Sequence, residues 1–424
     1  MSDFQNTLAY AQQQDAADPL KGFRERFFIP QHNGQDTVYF TGNSLGLQPK
    51  ATRDYIQQEL DDWANLGVEG HFQAKKPWLH YHEQFPALLA PIVGALPHEV
   101  VAMNQLTVNL HLLMATFYRP TKERFKILCE AKAFPSDQYA LESQARLHGF
   151  DPKEAVVEVT PRAGEHGLRE EDIIEAINQH GSQLALVLFG GVNYYTGQVL
   201  PMQAITDVAH NVGALAGFDL AHAAGNIELK LHDWDVDFAC WCSYKYLNSG
   251  PGSVAGAYIH ERHCSNTELP RAAGWWGYEK ETRFQMKPLF KAIPTAEGWQ
   301  LSNAPVLSMA AHRASLDIYA EAGMEALHRK SKALTGFLFY VLDEINAAQE
   351  VKVIEVITPR GGGEYGCQVS LLMLQKGREV FKALTERGVI ADWREPNVIR
   401  VAPVPLYNTF EDVWKFGEII REIL

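Results

Sequence analysis

The stretch LALVLFGGVNYYTGQVLPMQAITDVAHNVGALAGFD, residues 184–219, contains the repeating unit of the fold. An uninterrupted apolar run over 184–190 is followed by a helical pattern over 201–213 and a second apolar run over 214–219. Runs that are apolar throughout are typical of strands covered on both faces, and strands that alternate with helices form parallel sheets. The stretch therefore predicts a β-α-β unit of an α/β fold.

The same alternation continues on both sides of this unit. The further strand-like and helical runs are at 125–130, 136–149, 155–159, 169–181, 236–242 and 253–259. Gly149, Gly181 and Gly213 directly follow the helical patterns, where glycine often ends a helix, and Ser136 is predicted to cap the first helix. We expect a mostly parallel sheet that binds its ligand at the carboxyl ends of the strands.

A change of pattern near residue 305 divides the chain. Its 424 residues exceed one typical domain and predict two domains. Beyond this point, two long helical runs lead to a small β/α set and a closing helix from Thr409. We predict a large cofactor-binding domain over 51–305 and a smaller α/β domain over 306–424, with residues 1–50 packing against the smaller domain.

Composition excludes several classes of protein. The chain has 38 Lys and Arg against 51 Asp and Glu, and the net charge of −13 repels nucleic acid and anionic lipid. The first twenty residues lack the pattern of a signal peptide, and the longest apolar stretch is too short to span a bilayer. Five cysteines fit a reducing compartment. We expect a cytoplasmic enzyme without a nucleic-acid or membrane partner.

Two strand ends carry candidate catalytic residues. Lys245 comes directly after the apolar run 236–242, and Asp219 ends the run 214–219 with His222 three residues later. A buried carboxylate needs a cationic or hydrogen-bonding partner. A protonated pyridine nitrogen is such a partner, and enzymes that use pyridoxal 5'-phosphate place a carboxylate beside it.

Two further segments suit the same cofactor. Phe134, between a strand and a helix, can stack on an aromatic ring, and Asp137 lies in the first turn of that helix. Leu106 and Thr107 open an apolar helical run, where free backbone N–H groups and a hydroxyl suit a phosphate. In this order before a strand-end lysine, these segments indicate a pyridoxal phosphate enzyme of fold type I.

Long blocks of the sequence resemble the kynureninase family. The matching blocks are at 39–49, 134–137, 219–223, 241–248, 393–397 and 399–408, so the resemblance extends over most of the chain. The resemblance implies the fold-type-I architecture, with a large domain built on a mostly parallel sheet and a smaller α/β domain. It also implies pyridoxal 5'-phosphate as cofactor and a homodimer with shared active sites.

The resemblance further implies a reaction. Kynureninases hydrolyse L-kynurenine, or its 3-hydroxy form, to anthranilate, or 3-hydroxyanthranilate, and L-alanine. The reaction belongs to tryptophan degradation and to NAD biosynthesis. Lys245 would form the Schiff base, Asp219 would pair with the pyridinium, and Tyr195 would act as the general acid or base.

Binding roles follow from the same resemblance. The implied cofactor-binding residues are Leu106, Thr107, Phe134, Pro135, Ser136, Asp137, His222 and Tyr244, with Trp275 and Asn303 from a neighbouring subunit. The implied substrate-binding residues are Asn43, Ser44, His71, Asn303 and Arg400. Arg400 would clamp the substrate carboxylate through its bidentate fork. Several relatives carry a hydroxyl residue where Gly190 stands, which leaves one phosphate or water contact open here.

Two other functions are compatible with this fold. A cysteine desulfurase-like lyase needs a reactive cysteine on a mobile loop, and Cys264 and Cys367 are the candidates outside strongly apolar runs. A catalytically silent protein with a structural cofactor is the other alternative. The set of Lys245, Asp219 and Arg400 argues against that alternative.

Two short motifs have simpler explanations. Residues 42–46 match the G-x-S-x-G elbow of α/β-hydrolases, but such an elbow needs several strands before it. Cys240 and Cys242 share one face of an apolar strand, and no second ligand pair with zinc-like spacing is nearby. We therefore predict no metal site.

Overall fold

A central sheet organises the structure, a computed structural model that describes residues 4–361 and 363–424. The α-helices are α1 (Leu8–Ala17), α2 (Thr52–Leu66), α3 (Gly70–Gln73), α4 (Pro86–Val93), α5 (Leu106–Phe117), α6 (Pro135–Leu147), α7 (Pro152–Ala155), α8 (Glu170–His180), α9 (Met202–Asn211), α10 (Glu261–Cys264), α11 (Val306–Ala322), α12 (Met324–Ala347), α13 (Gly377–Glu386) and α14 (Phe410–Arg421). The strands are β1 (Gln31–His32), β2 (Gln35–Asp36), β3 (Val38–Tyr39), β4 (Val100–Ala102), β5 (Lys126–Glu130), β6 (Val156–Val159), β7 (Leu184–Gly190), β8 (Leu215–Asp219), β9 (Phe238–Trp241), β10 (Gly256–Ile259), β11 (Ile354–Val356), β12 (Val369–Met373), β13 (Val389–Ile390), β14 (Asp392–Arg394) and β15 (Val398–Val401).

The central sheet has seven strands in the order β4-β10-β9-β8-β7-β5-β6. Strands β9, β8, β7, β5 and β6 are parallel, whereas β10 runs antiparallel to β4 and β9. The antiparallel pair follows from the connection between β9 and β10, which contains no helix that could return the chain for a parallel crossover. The predicted α/β fold with a mostly parallel sheet is confirmed.

The parallel strands end at one edge of this sheet. In the ladder, Gly190 at the end of β7 pairs with Asp219 at the end of β8, and Asp219 pairs with Cys240 in β9. Glu130 ends β5, the next parallel strand beyond β7. The loop that follows β9 carries Lys245, so this edge gathers acidic and basic side chains from four neighbouring connections.

Apolar side chains fill both faces of the central sheet. In β7, every residue from 184 to 189 is buried, which accounts for its uninterrupted apolar sequence. On one face, α5 packs so that the ring of Phe117 stacks on that of Phe238, with centroids 4.8 Å apart. Trp299 continues this stack at 6.4 Å from Phe117.

The C-terminal part of the chain forms a second sheet with its own core. Strands β11-β12-β15-β14 make a four-stranded antiparallel sheet, and α12, α13 and α14 contribute to its core. The N-terminal segment lies against this part. Strand β3 pairs in parallel with β13, and the Asp15 carboxylate accepts N–H groups of Phe410 and Glu411 at 2.7 and 3.0 Å.

Helix α11 belongs to the larger core rather than to the smaller one. Met309, Leu316 and Tyr319 are buried in the cluster that includes the central sheet. The Tyr319 hydroxyl donates to the carbonyl of Tyr246, at 2.5 Å, next to Lys245. We therefore propose that the large domain extends through α11, beyond the boundary at residue 305 that the sequence indicates.

Two predicted helix ends differ in the structure. Helix α6 begins at Pro135, with Phe134 as its N-cap, so Ser136 lies inside the first turn and does not cap the helix. Proline is well suited to a first helical position because its fixed φ matches the helix. Gly149 and Gly213 have φ of 82° and 77°, as expected, whereas Gly181 has φ of −46° and continues into a short 3₁₀ turn.

In the described part of the chain, the helices include none with the length and apolar content required to cross a membrane.

Candidate active site

Lys245 lies in a loop at the carboxyl edge of the central sheet. Its Nζ atom is 3.1 Å from Nε2 of His222 and 5.9 Å from the ring centroid of Phe134. The segment around Asn43 supports this loop, since the N–H of Gly46 donates to the carbonyl of Tyr244 at 2.8 Å. A Cβ atom at position 46 would lie 2.4 Å from the carbonyl oxygen of Lys245, so this close approach requires glycine.

Three carboxyl groups face the same cleft. Burial raises the pKa of Asp219, and burial together with the nearby Asp219 raises the pKa of Asp137. Burial also raises the pKa of Glu130 to about 7. Asp219 accepts the N–H of Ala221 at 2.6 Å, and this bond and the charge of Lys245 both lower its pKa against the effect of burial. The buried carboxylate is thus available to a cationic ligand.

The cleft has a polar end at the start of α5. Leu106 and Thr107 occupy the first two positions of this helix of 12 residues, and Gln105 before it makes no side-chain cap. The first-turn N–H groups and the helix dipole therefore favour an anion such as a phosphate. The residues lining the cleft are Leu106, Thr107, Glu130, Phe134, Ser136, Asp137, Gly190, Val192, Tyr194, Asp219, Ala221, His222, Cys242, Tyr244 and Lys245.

His222 is a neutral imidazole in this cleft. Its side chain is buried, and burial, Lys245 and Arg400 all lower its pKa well below the usual value. The ring can therefore accept a hydrogen bond from the Lys245 amine through Nε2. The backbone carbonyl of His222 accepts from Nδ2 of Asn226 at 2.8 Å, which fixes the turn after β8.

Arg400 approaches from the smaller domain. It lies on β15, is 1% exposed, forms an ion pair with Asp392 and donates to the carbonyl of Tyr194. Burial lowers the pKa of Arg400 to about 10, which leaves the guanidinium charged at neutral pH. Gln368 also donates to the Tyr194 carbonyl, at 3.0 Å, and accepts from Asn43 Nδ2 at 3.0 Å. The two domains therefore meet at the turn that carries Tyr194.

Other predicted residues lie outside the cleft in this chain. Tyr195 is on the same turn as Tyr194, with ring centroids 6.4 Å apart, but Tyr194 is the residue that lines the cleft. Ser44 is exposed. His71 and Asn303 line a separate surface pocket, and Trp275 packs edge-on against Phe284 with centroids 5.4 Å apart.

Known proteins with similar sequences share one name. Residues 327–420 match the family model described as the kynureninase C-terminal domain. A kynureninase of Flavobacterium psychrophilum is 57% identical over 420 residues, covering 99% of this chain and 98% of the relative. The chain belongs to the kynureninase family. A kynureninase of Myxococcus xanthus is 54% identical, with coverage of 99% and 97%. The chain is therefore an enzyme of this family.

Two solved structures of other proteins share the fold of this chain. An apo cysteine desulfurase from Thermococcus onnurineus NA1 has a TM-score of 0.74 at 17% identity, covering 100% of this chain and 99% of that structure. A mutant of C-DES with glycine covalently linked to its PLP cofactor has a TM-score of 0.75 at 17% identity, with coverage of 91% and 96%. These similarities show that this kynureninase-family chain has the fold-type-I architecture.

The structure offers no exposed thiol for desulfurase chemistry. The five cysteines are free and buried, including Cys264 and Cys367. Burial raises the pKa of Cys367 to about 12 and also raises that of Cys264. The sequence left both as candidates for the desulfurase-like alternative because they lie outside strongly apolar runs, and the structure buries both thiols, which argues against that alternative.

Sequence reasoning missed Glu130, Asn193 and Tyr194. Glu130 ends β5 as Asp219 ends β8, and a strand-end acid was the signal that could have identified it. Its carboxylate also occupies the space beside Gly190, because a Cβ atom at that glycine would lie 2.8 Å from Glu130 Oε1. The sequence left one phosphate or water contact open at Gly190. In the structure, the Glu130 carboxylate occupies the space beside this glycine.

Proposed function

We propose that this chain is a pyridoxal 5'-phosphate-dependent kynureninase of tryptophan degradation and NAD biosynthesis. It hydrolyses L-kynurenine, or its 3-hydroxy form, to anthranilate, or 3-hydroxyanthranilate, and L-alanine. The observation that carries the proposal is that Lys245 and Asp219 line one cleft, and that Arg400 lies close enough to lower the pKa of His222 in it, in a member of the kynureninase family. An amine, a buried carboxylate and a buried guanidinium suit the aldehyde, the ring nitrogen and the substrate carboxylate.

The residues of the cleft fit this cofactor. Asp219 is a buried carboxylate whose pKa burial raises, and this environment suits a protonated ring nitrogen as its partner. The start of α5 at Leu106 suits the phosphate, and the 42% exposure of Phe134 leaves a ring face for stacking. When bound, the cofactor supplies an electron sink for the carbanion that forms at the substrate Cα.

Lys245 is the proposed base and acid at the substrate Cα. The neutral ring of His222 accepts a hydrogen bond from Nζ over 3.1 Å, which orients the amine. Because His222 is uncharged, it does not oppose the positive charge that Lys245 acquires when it takes up a proton. The amine can therefore remove a proton from Cα and return it without leaving the cleft.

Tyr195 is the proposed general acid or base at the later steps, a role that requires its ring to turn into the cleft that Tyr194 lines in this chain. Burial raises its pKa, so its hydroxyl stays protonated at neutral pH. Ser370 donates to the backbone carbonyl of Tyr195 at 2.6 Å and holds the turn in place. The reaction requires water at the γ-carbonyl and a proton at Cβ, and a positioned phenol can exchange these protons.

The substrate carboxylate is the proposed ligand of Arg400. Asn43, which is buried and donates to Gln368, is the neighbouring polar group for the same end of the substrate. The guanidinium already bonds Asp392 and the Tyr194 carbonyl, which fixes its plane before substrate arrives. A fixed guanidinium loses less entropy on binding a carboxylate than a mobile one.

We also propose a homodimer in the cytoplasm, with active sites shared between subunits. His71, Asn303 and Trp275 lie away from Lys245 within one chain, which supports their acting in the cleft of a neighbour. Exposed apolar side chains accompany them, including Trp63 at 62% in the pocket of His71 and Phe284 at 56% against Trp275. The free cysteines suit a reducing compartment.

Mixed dimers test the shared site. Lys245→Ala and Asn303→Ala are each expected to be inactive alone, and mixing them should restore activity in dimers that contain one intact site. If the mixture stays inactive after verified subunit exchange, Asn303 acts within its own chain or not at all. A monomer in light scattering would also contradict the dimer.

Steady-state rates on two substrates test the function. We would measure kcat/KM of the cofactor-loaded enzyme on L-kynurenine and on 3-hydroxy-L-kynurenine. If His71 and Asn303 bond the ring hydroxyl, the enzyme should favour the hydroxylated substrate, by up to about 10⁴-fold when these groups are otherwise unpaired. Equal rates would remove them from the ring pocket. Turnover of neither substrate would refute the proposed function.

A further inference from the structure

Glu130 is a buried acid to which the proposed reaction gives no part. It ends β5, is 5% exposed and lines the cleft beside Asp219. A buried carboxyl group is costly unless its bonds are satisfied. The hydrogen-bond partners of Glu130 therefore indicate its function.

Both oxygens of Glu130 accept hydrogen bonds from one loop. Oε2 accepts from Nδ2 of Asn193 at 2.7 Å, and Oε1 accepts the N–H of Gly190 at 3.3 Å. The other end of Asn193 is fully used, because Oδ1 accepts the N–H groups of Tyr195 and Thr196 at 3.0 and 2.9 Å. The Asn193 amide must then turn its NH₂ towards Glu130, so the acid fixes the orientation of this side chain.

The 193–196 turn, which Asn193 holds in place, contacts residues on the substrate side of the cleft. The carbonyl of Tyr194 accepts from Arg400 and, at 3.0 Å, from Gln368. A continuous chain of hydrogen bonds thus runs from Glu130 through Asn193 and the 193–196 turn to Arg400. Glu130, at one end of this chain of bonds, lies in the large domain, and Arg400, at the other end, lies in the smaller one.

We propose that Glu130 is a positioning residue for substrate binding, which fixes the 193–196 turn and through it holds Arg400 ready for the substrate carboxylate. Glycine at position 190 is part of this arrangement. A Cβ atom there would lie 2.8 Å from Oε1, so any side chain would push the carboxyl group off its two donors. The inference rests on the proposed function for the role of Arg400.

The protonation state of Glu130 determines the pH at which the test is run. Burial raises its pKa to about 7, and its bonds to Asn193 and Gly190 oppose this shift. At pH 8 the carboxylate form predominates and accepts both bonds with the added strength of a charged acceptor. Glutamine has nearly the same shape but only one acceptor atom, so Glu130→Gln cannot satisfy both donors.

Glu130→Gln should weaken substrate binding at pH 8 and leave chemistry nearly intact. We expect KM for L-kynurenine and Kd for glycine to rise by about ten- to a hundredfold, the range for losing a bond to a charged group. We expect kcat within about threefold of wild type, which is the pattern for lost uniform binding. Cofactor absorbance and the cofactor Kd should stay unchanged. The matched control is Glu158→Gln on the neighbouring β6, which is exposed and should change neither constant.

A double-mutant cycle tests the route through Asn193. If Glu130 acts through this side chain, Glu130→Gln should add nothing to Asn193→Ala. Additive effects, an unchanged KM and glycine Kd, or a loss confined to kcat would overturn the proposal. Should Asn193→Ala fail to fold, Gly190→Ala displaces the acid while keeping its partners and should raise the glycine Kd. Glycine binding needs no turnover, so this result is separate from the fate of the kynurenine assay.

Discussion

Replacing Asp219 by asparagine isolates the charge of the carboxylate at the end of β8. Asparagine has the same shape, and its Oδ1 can keep the hydrogen bond from the Ala221 N–H, which is 2.6 Å long in the native protein. Strand β8 and the turn to His222 should therefore stay in place. The variant removes the negative charge proposed to pair with the protonated ring nitrogen, and with it the charge that raises the pKa of the neighbouring Asp137.

The expected loss follows from the burial of Asp219. Burial raises the pKa of Asp219 although Lys245 opposes this shift, so a cation against the carboxylate would relieve an unfavourable buried charge. Breaking a buried charge pair costs about 3–5 kcal/mol, and about 1.4 kcal/mol corresponds to tenfold. Deprotonation of the substrate Cα should slow by about 10²- to 10⁴-fold, because the ring loses its positive charge.

Exchange of the L-alanine Cα proton in D₂O, followed by NMR, measures this step alone. The assay is run at saturating cofactor, so that weaker cofactor binding does not lower the rate. Asp207→Asn, on an exposed position of α9, carries the same change and should exchange at the wild-type rate. If Asp219→Asn also exchanged within about threefold of wild type, the proposed pairing and the electron-sink argument built on it would be wrong.

Substitutions of four other residues have definite outcomes. Lys245→Ala should abolish multiple turnover and the visible absorbance of the bound cofactor, and continued turnover would remove Lys245 from the mechanism. Arg400→Lys should raise KM by about ten- to a hundredfold, since a single ammonium cannot serve Asp392, the Tyr194 carbonyl and a substrate carboxylate together. Steady-state kinetics at constant cofactor saturation would show this, and an unchanged KM would move the carboxylate site elsewhere. Cys264→Ala and Cys367→Ala should keep at least half of the activity on L-kynurenine, and loss of turnover without loss of folding would return a thiol mechanism to consideration.

The central fold could be predicted from the sequence because its strands are buried on both faces. The apolar run 184–190 became β7 with the same bounds, and the helical run 306–322 became α11. The alternation of such runs leaves few arrangements other than a parallel sheet. Lys245 and Asp219 could be identified for the same reason, since a charged residue directly after a buried strand has few structural explanations.

Features that depend on distant contacts could not be predicted. The sequence of α11 suggests the start of a new domain. Its buried face instead packs against α2 and joins the core of the central sheet, and no local sequence pattern reveals these contacts. The bonds from Arg400 to Asp392 and to the Tyr194 carbonyl join residues far apart in the chain. Asn193 resembles an ordinary loop residue in sequence, and its function as a link appears only when β5 and β7 are neighbours.

Substrate choice and cofactor chemistry reside in different parts of this molecule. Lys245 and His222 follow strands of the central sheet and Asp219 ends one, and the cysteine desulfurase with 17% identity shares this fold. The strand ends alone therefore cannot decide which bond is broken. Arg400 and Gln368 come from the smaller domain, and both donate to one carbonyl on the 193–196 turn. Because the two sets meet at that turn, changes in it should alter which substrate binds while the sheet edge keeps its cofactor.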